Sequence, residues 1–288
     1  ACLTADVPEP DTAPTPTTHE REIVAPVDLC TPDGLRLNPA ARGWSRRPLH
    51  RANLRGRRFR TKKWDYWAIL AGDLTIGLVY ADVGYLGLAS IWWADLSTGQ
   101  QGGRDLAVPL GGRFQLPAEP GTAPLVLDTK HLRMRLEDLS TSPVGRATRI
   151  RISWDERGDE GELDVLIALP EDHESLSVVI PWSETTFQFT TKDNARPAKG
   201  TFEVGSQRWD IGADDDAWGV LDVGRGRWPY STTWNWGAAS GRATTGEVIG
   251  VQFGAKWTEG TGFTENALCI GGHLVKIGRE LTWDYHWD

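Results

Sequence analysis

The chain has 288 residues and a mass of 31.8 kDa, with 31 Lys and Arg against 39 Asp and Glu for a net charge of −8. A sequence pI near 5.3 argues against a nucleic-acid binder, which ordinarily carries a basic balance over its whole domain. Cys2, Cys30 and Cys269 are few, odd in number and far apart, so they describe neither a disulfide framework nor a zinc site, and a reducing compartment fits.

Residues 1–20 are rich in Pro, Thr and Asp and poor in large apolar side chains, and they read as a disordered tail. They show neither the basic start nor the apolar core of a targeting signal. Residues 21–63 read as an extended leader, with turn chemistry at Pro32-Asp33-Gly34 and Asn38-Pro39. From Arg42 to Lys63 the leader holds ten Lys and Arg and no acid, so the rest of the chain carries 21 basic against 39 acidic residues, a balance of −18. This island is expected to lie against the acidic body or to be solvated. The alternative is a peripheral contact with an anionic ligand or membrane surface.

Residues 64–288 read as a β-barrel-like body. Leu132, Met134 and Leu136 alternate with His131, Arg133 and Arg135, and Ile150, Ile152 and Trp154 alternate with Arg149, Arg151 and Ser153. Leu163, Val165, Ile167 and Leu169 form a similar face, as do Thr185, Phe187 and Phe189, and then Ile249, Val251 and Phe253. About sixteen such segments recur at a spacing of about ten residues, bounded by Gly, Pro, Asp and Asn, the rhythm of sandwiches and barrels. Glycines inside them (Gly77, Gly84, Gly87, Gly250) mark bends or close backbone approach. The break at Gly158–Gly161 reads as a hairpin turn, with a division into two halves as the alternative. The fold class expected is therefore all-β and antiparallel, with one or two curved, barrel-like sheets. No stretch approaches the roughly 18 apolar residues of a membrane span, so no integral membrane segment is expected and the chain reads as soluble and cytoplasmic. It begins at Ala1 and has Met134 as its one methionine, which leaves a trimmed initiator and a fragment both open.

Many of the 15 tryptophans fall in three aromatic-polar clusters, Lys62–Trp67, Gly226–Trp236 and Thr282–Trp287. An indole brings a large apolar body and an N–H that wants an acceptor, which suits a strand lining a ligand cavity. In the first cluster Trp64 and Tyr66 share one face and Lys63, Asp65 and Trp67 the other. Asp65 is expected to be satisfied by Lys63 or by an indole N–H, with direct ligand contact as the alternative. In the second, Asp222 ends an apolar run just before Gly224-Arg225-Gly226. The readings are a recognition or acid–base site walled by Trp228, Tyr230 and Trp234, or an Asp222–Arg225 pair pinning a tight loop.

Asp82 and Glu265 are further acid candidates, and Asn266 joins Glu265 as a polar contact. Two carboxylates across a cavity can serve as acid and base in hydration or glycoside cleavage. No metal or organic cofactor is expected. Asp214-Asp215-Asp216 lacks the spacing of an EF-hand, six scattered histidines give no HExxH or HxH pair, and Gly224-Arg225-Gly226 is too short to cradle a phosphate.

Four blocks together resemble a known family: Leu37–His50 (LNPAARGWSRRPLH), Lys62–Trp67 (KKWDYW), Leu221–Tyr230 (LDVGRGRWPY) and Thr264–Leu268 (TENAL). They are similar to domain of unknown function 2804 over roughly residues 22–288. The resemblance implies an all-β protein and, by looser analogy, the lipocalin-like two-part architecture of carotenoid hydratases and related cyclases. Members of the family usually continue past the point where this chain stops, so a strand at Trp283–Trp287 is expected to lack its partner.

The function expected is binding of a small apolar or amphipathic molecule in an aromatic-lined cavity. Trp64, Tyr66, Trp228, Tyr230 and Trp234 would wall it, and Lys63, Asp65, Asp222, Arg225 and Asn266 would supply polar contacts. The alternative is a cofactor-free hydratase, cyclase or isomerase using Asp222, Asp82 or Glu265. A third reading is carbohydrate binding or cleavage, because indoles also stack on sugars.

Overall fold

Alternation of apolar and polar residues over segments of four to ten produces strands here almost throughout: about 56% of the chain is strand and 2% helix. The computed structural model describes residues 19–111, 114–156, 158–212 and 216–285. The expected N-terminal tail therefore lies outside the described residues up to position 18, as do Cys2, Asp214, Asp215 and Trp287. In chain order the strands are β1 (Val27–Asp28), β2 (Trp44–Ser45), β3 (His50–Arg51), β4 (Thr61–Ala71), β5 (Leu74–Asp82), β6 (Leu86–Asp95), β7 (Gln100–Pro109), β8 (Leu125–Asp128), β9 (Arg133–Leu139) and β10 (Ala147–Glu156). They continue with β11 (Asp159–Ala168), β12 (Leu176–Pro181), β13 (Phe187–Val204), β14 (Gln207–Ile211), β15 (Ala217–Arg227), β16 (Asn235–Arg242), β17 (Val248–Ala255), β18 (Asn266–Ile270) and β19 (His273–Ile277).

The large sheet runs β7-β6-β5-β4-β15-β13-β11-β10-β9-β8, curls into a half-barrel and is antiparallel throughout. A second antiparallel sheet of four strands runs β16-β17-β18-β19. The expected all-β, curved, antiparallel fold is thus the fold observed. Residues 156 and 159 pair directly across the β10–β11 connection, so the Gly158 region is a hairpin turn.

Curling brings the inward residues together. Ile76, Leu78, Ile91, Ile150, Val165 and Phe202 are among the side chains of the main core, all essentially inaccessible. Burying such side chains stabilises by about 1.5–3 kcal/mol each. The leader forms a second core on the Arg225 face of β13 and β15, where Leu29, Cys30, Leu37, Ala41 and Ala52 meet Val179, Phe187 and Phe189. Arg227 fastens it there by donating to the carbonyls of Gly34 (2.6 Å), Leu35 (2.7 Å) and Arg55 (2.6 Å). Part of the basic island pairs with nearby acids, through Arg46 with Glu22 (3.0 Å) and Glu174 (2.9 Å), and Arg51 with Asp28 (2.6 Å).

β13 is the longest strand, at 18 residues, and it changes partners along its length. Its first part lies between β12 and β15 and its last part between β11 and β14. A register shift between Asp193 and Arg196, with Ala195 at φ 59°, marks the changeover. Such a bulge bends the strand and re-aims its side chains.

Two expectations fail. Ile249, Val251 and Phe253 do not form the buried face of β17; Gly250, Gln252 and Gly254 do. The small sheet approaches the β13 bulge so closely that a Cβ on Gly250 would stand 2.9 Å from the Asn194 Cβ, so the inward face needs glycine. Of the strand expected at Trp283–Trp287, residues 283–285 carry none and the rest lies outside the described residues; the Trp283 ring lies against Gly237. Among the described residues no helix is long and apolar enough to cross a membrane.

Candidate functional site

Strand parity divides the predicted residues between two faces of the same three strands. Tyr66 of β4 lies opposite Asp222 of β15, which lies opposite Lys192 of β13. Side chains at directly opposed positions share a face, so these three point the same way, toward the small sheet. Asp65, Trp67, Arg225 and Asp193 have the other parity and point into the half-barrel.

On the first face Lys192 is buried between two carboxylates, with Nζ 2.6 Å from Asp222 Oδ2 and 3.0 Å from Glu265 Oε2. Glu265 precedes β18 and reaches across from the small sheet. Its Oε1 accepts from the indole N–H of Trp257, and Gly254 leaves it room: a Cβ there would fall 1.8 Å from Oε1. Asp222 Oδ1 accepts from the Trp64 indole (3.4 Å) and the Thr190 hydroxyl (3.3 Å). The Lys192 ammonium stands 5.1 Å from the centre of the Trp236 ring, and Tyr66 meets that ring edge-on at 5.8 Å. Trp64, Tyr66, Trp228 and Trp236 are half-buried, and the Asp222 side chain keeps 15% of its surface accessible.

These charges perturb one another. Burial raises the Glu265 pKa above the ordinary carboxylate value; Lys192 opposes that rise and Asp222 adds to it. Burial by itself would lower the Lys192 pKa, but the two carboxylates outweigh it and hold the ammonium above its usual value. Burial, with Asp222 alongside, also raises the Tyr66 phenol.

On the second face Arg225 is fully buried, with Nη2 2.7 Å from Asp65 Oδ1 and Nη1 donating to the Trp64 carbonyl at 2.7 Å. This corrects two expectations. Asp65 forms its ion pair with Arg225 and not with Lys63 or an indole, and Asp222 pairs with Lys192 and not with Arg225. The physical reason is that positions 222 and 225, three apart on one strand, face opposite ways. Lys63 sits between Asp82 and Arg225 in the ladder, and burial together with Arg225 holds its pKa down, Asp82 opposing.

Behind this face is a cavity of about 290 Å³ whose lining includes Asp65, Trp67, Asp138, His173, Asp193 and Arg196. His173 Nε2 is 2.9 Å from Asp193 Oδ1, and burial raises the Asp138 pKa against the opposing Thr148 hydroxyl. Asp222 and Glu265 do not line it.

The remaining predicted residues scatter. Asp82 accepts from the Gly84 N–H (2.8 Å), at the far end of β5 and apart from the other two acids. Asn266 is buried and structural, accepting from Gly254 N–H (2.7 Å) and donating to the Arg279 carbonyl (2.9 Å). Trp228 stacks on Trp257, with ring centres 5.7 Å apart. Tyr230 and Trp234 do not wall an enclosed space; both project into solvent. Sequence reasoning missed Lys192, Trp236 and Trp257 as members of the group. The available signal was the strand FQFTTKDN, where a lysine sits in an unbroken run with no turn residue before it. Among the described residues no three His, Cys, Asp or Glu side chains are grouped to hold a metal ion.

Fold and site together define an all-β protein in which a curled antiparallel sheet and a smaller one enclose a lysine bracketed by two carboxylates. The chain belongs to the family described as Domain of unknown function (DUF2804), whose profile matches residues 20–288. Among solved structures it is similar to a protein from Nitrosomonas europaea described as AttH, at 10% identity and a TM-score of 0.41, over 76% of this chain and 68% of that one. CghA matches at 12% identity and a TM-score of 0.35, over 76% of this chain and 58% of its own. Kievitone hydratase from Nectria haematococca matches at 9% identity and a TM-score of 0.42, over 74% of this chain and 62% of its own. The chain thus spans less than two thirds of the latter two. No curated protein matches it.

Proposed function

We propose that the protein binds a small, mostly apolar or amphipathic molecule at the seam between the two sheets, against Trp64, Tyr66, Trp228 and Trp236, with Asp222 as the polar contact. The observation that carries this is a set of four half-buried aromatic side chains, Trp228 against Trp64 and Trp236 against Tyr66, beside the partly exposed Asp222 carboxylate. Aromatic rings with a few placed polar groups are the usual make-up of a small-molecule site. The free, buried Cys30 and Cys269 agree with a reducing compartment, and we place the protein in the cytoplasm.

A second reading is favoured by the Asp222–Lys192–Glu265 cluster itself. Three ionisable groups within 3.0 Å of shared contacts, one of them a buried acid of raised pKa, suit proton transfer. In this reading Asp222 removes a proton from an activated carbon of the bound molecule and returns it at another position. One C–H bond breaks and one forms, so an isomerisation or cyclisation balances without a further reagent. Addition of water to a double bond balances with water as co-substrate: Asp222 takes a proton from the water as its oxygen bonds one alkene carbon, and a proton is delivered to the other carbon.

The test is titration of tryptophan fluorescence with a panel of retinoids, sesquiterpenes and unsaturated fatty acids, followed by mass analysis of the recovered compounds. Saturable quenching without product supports binding alone. Quenching with product, where Asp222→Asn still binds but turns over about 10²–10⁴-fold more slowly, supports the second reading. Silence across the panel contradicts binding, and full turnover by Asp222→Asn removes that residue from the chemistry.

A further inference from the structure

We propose that the end of the molecule formed by residues 57–62, 84–85, 110 and 228–234 docks on anionic lipid membranes. Among the described residues, five of the twelve exposed large apolar side chains gather there, Phe59, Tyr85, Leu110, Tyr230 and Trp234, each between 52% and 95% exposed. They come from four separate parts of the chain, and the contacts among these parts make them one surface. Arg58 donates to the Leu110 carbonyl, and the Leu110 N–H donates to the Tyr85 carbonyl at 2.8 Å. Gly84 packs on the backbone of residues 58 and 59 so closely that a Cβ there would stand 2.2 Å from the Arg58 carbonyl oxygen. The Trp228 N–H donates to the Arg60 carbonyl at 3.3 Å, and Trp234 meets the Trp228 ring edge-on at 6.2 Å.

Cations are threaded through these rings. Lys62 Nζ stands 4.2 Å from the centre of the Tyr85 ring, and the Arg60 guanidinium 5.9 Å from that of Tyr230. Arg57, Arg58, Phe59 and Arg60 are all exposed on a short turn, and among the described residues no carboxylate pairs with Arg57, Arg58 or Arg60. Arg46 and Arg51 of the same basic island are held by acids, whereas Arg57, Arg58 and Arg60 at this end are not.

The partner follows from the mixture. Apolar side chains that enter the headgroup layer, ringed by Arg and Lys that meet lipid phosphates, are the features by which a protein lies on a membrane surface without spanning it. A nucleic acid would use the same cations but gains nothing from Leu110, and the chain's charge of −8 repels it outside the patch. Attraction to an anionic bilayer falls off within a Debye length, so only this end of an otherwise acidic molecule would be drawn to it.

The experiment is flotation of the full chain with vesicles of phosphatidylcholine alone and of phosphatidylcholine with phosphatidylserine, at low and high salt. Binding to the phosphatidylserine vesicles is expected, with loss at high salt and no binding to phosphatidylcholine alone. Arg58→Glu with Arg60→Glu should lower the partition coefficient by about tenfold or more, because each cation contributes independently. Phe59→Ser with Tyr230→Ser should lower it several-fold while retaining the salt dependence. All four positions are exposed, and two independent pairs guard against one that misfolds. No binding at low salt, or equal binding by both double variants, overturns the proposal. Retention of single-stranded DNA by the protein without vesicle binding overturns it too, and reassigns the patch to nucleic acid.

Discussion

Lys192 on β13 and Asp222 on β15 stand directly opposite each other in the antiparallel ladder, and Lys192 Nζ lies 2.6 Å from Asp222 Oδ2 while also reaching Glu265 at 3.0 Å. One ammonium therefore serves two carboxylates contributed by two different sheets. Lys192→Met should destabilise the protein by about 3–5 kcal/mol at neutral pH, because it leaves buried carboxylates facing each other without a counter-charge. The loss should shrink as the pH is lowered and the carboxylates take up protons. Adding Glu265→Gln to Lys192→Met should recover part of it, so a urea-denaturation double-mutant cycle should show strong coupling. Additive effects would mean the three groups do not act as one cluster.

Gly254→Ala is expected to cost about 1–3 kcal/mol in stability. The new Cβ would fall 1.8 Å from Glu265 Oε1 and 2.4 Å from its Cδ, so the carboxylate must leave both Lys192 and Trp257. Calorimetric melting should show the loss. It should be smaller when Glu265 is already Ala, since the clash is then gone.

His50 gives the protein a defined acid sensitivity. Its Nε2 lies 2.9 Å from the Ala41 carbonyl, its ring packs 4.8 Å from Phe189, and burial pushes its pKa from 6.5 down to about 4, with the Ala41 bond opposing. Below pH 6.5 the unfolded chain takes up this proton and the folded one does not until about pH 4. Stability therefore falls as the pH drops through that window, by about 3 kcal/mol in all for this residue. His50→Gln keeps a donor toward Ala41 but does not titrate. Urea midpoints measured from pH 7 to pH 4 should fall less steeply for the variant than for the wild type.

Arg227→Lys removes the planar fork that holds three carbonyls of the leader at 2.6–2.7 Å. A lysine cannot reproduce that spread of donors, and a loss of about 2–3 kcal/mol is expected. Hydrogen exchange should accelerate first in residues 34–36 and 55, ahead of the sheet interior. Uniform acceleration would mean that Arg227 supports the sheet and not the leader.

Much of this was legible in strand parity. The period-2 pattern of Lys62–Trp67 separates Trp64 and Tyr66 from Asp65 and Trp67, and the two faces of β4 follow it. The same parity contradicts an Asp222–Arg225 pair, since residues three apart on a strand cannot share a face; there the sequence held the answer and loop chemistry obscured it. Lys192 was not legible in the same way. A lysine is expected in solvent, and what buries it is an acid on another sheet that no local pattern connects to it. The inward face of β17 misled for a related reason. Hydrophobicity pointed to Ile249, Val251 and Phe253, whereas the closeness of the β13 bulge demanded the glycines. Asp82 carries the same chemistry as Asp222 in the sequence, and only its place at the end of β5 sets it apart.

The insertion of β15 between β4 and β13 also governs how the chain can fold. β4, β5, β6 and β7 are consecutive and can pair as they are made, but the outer edge of β4 stays open until β15 arrives; Arg225, which bonds the Trp64 carbonyl, lies 161 residues later. A nascent chain would thus carry an unpaired edge bearing Trp64, Tyr66 and Trp67 through about half of its synthesis, a target for mispairing with neighbouring chains. Closure of the sheet waits on the most distant partners, which makes for slow folding at high contact order. Yield on expression should therefore depend more on temperature and on chaperone capacity than the stability of the finished molecule would indicate.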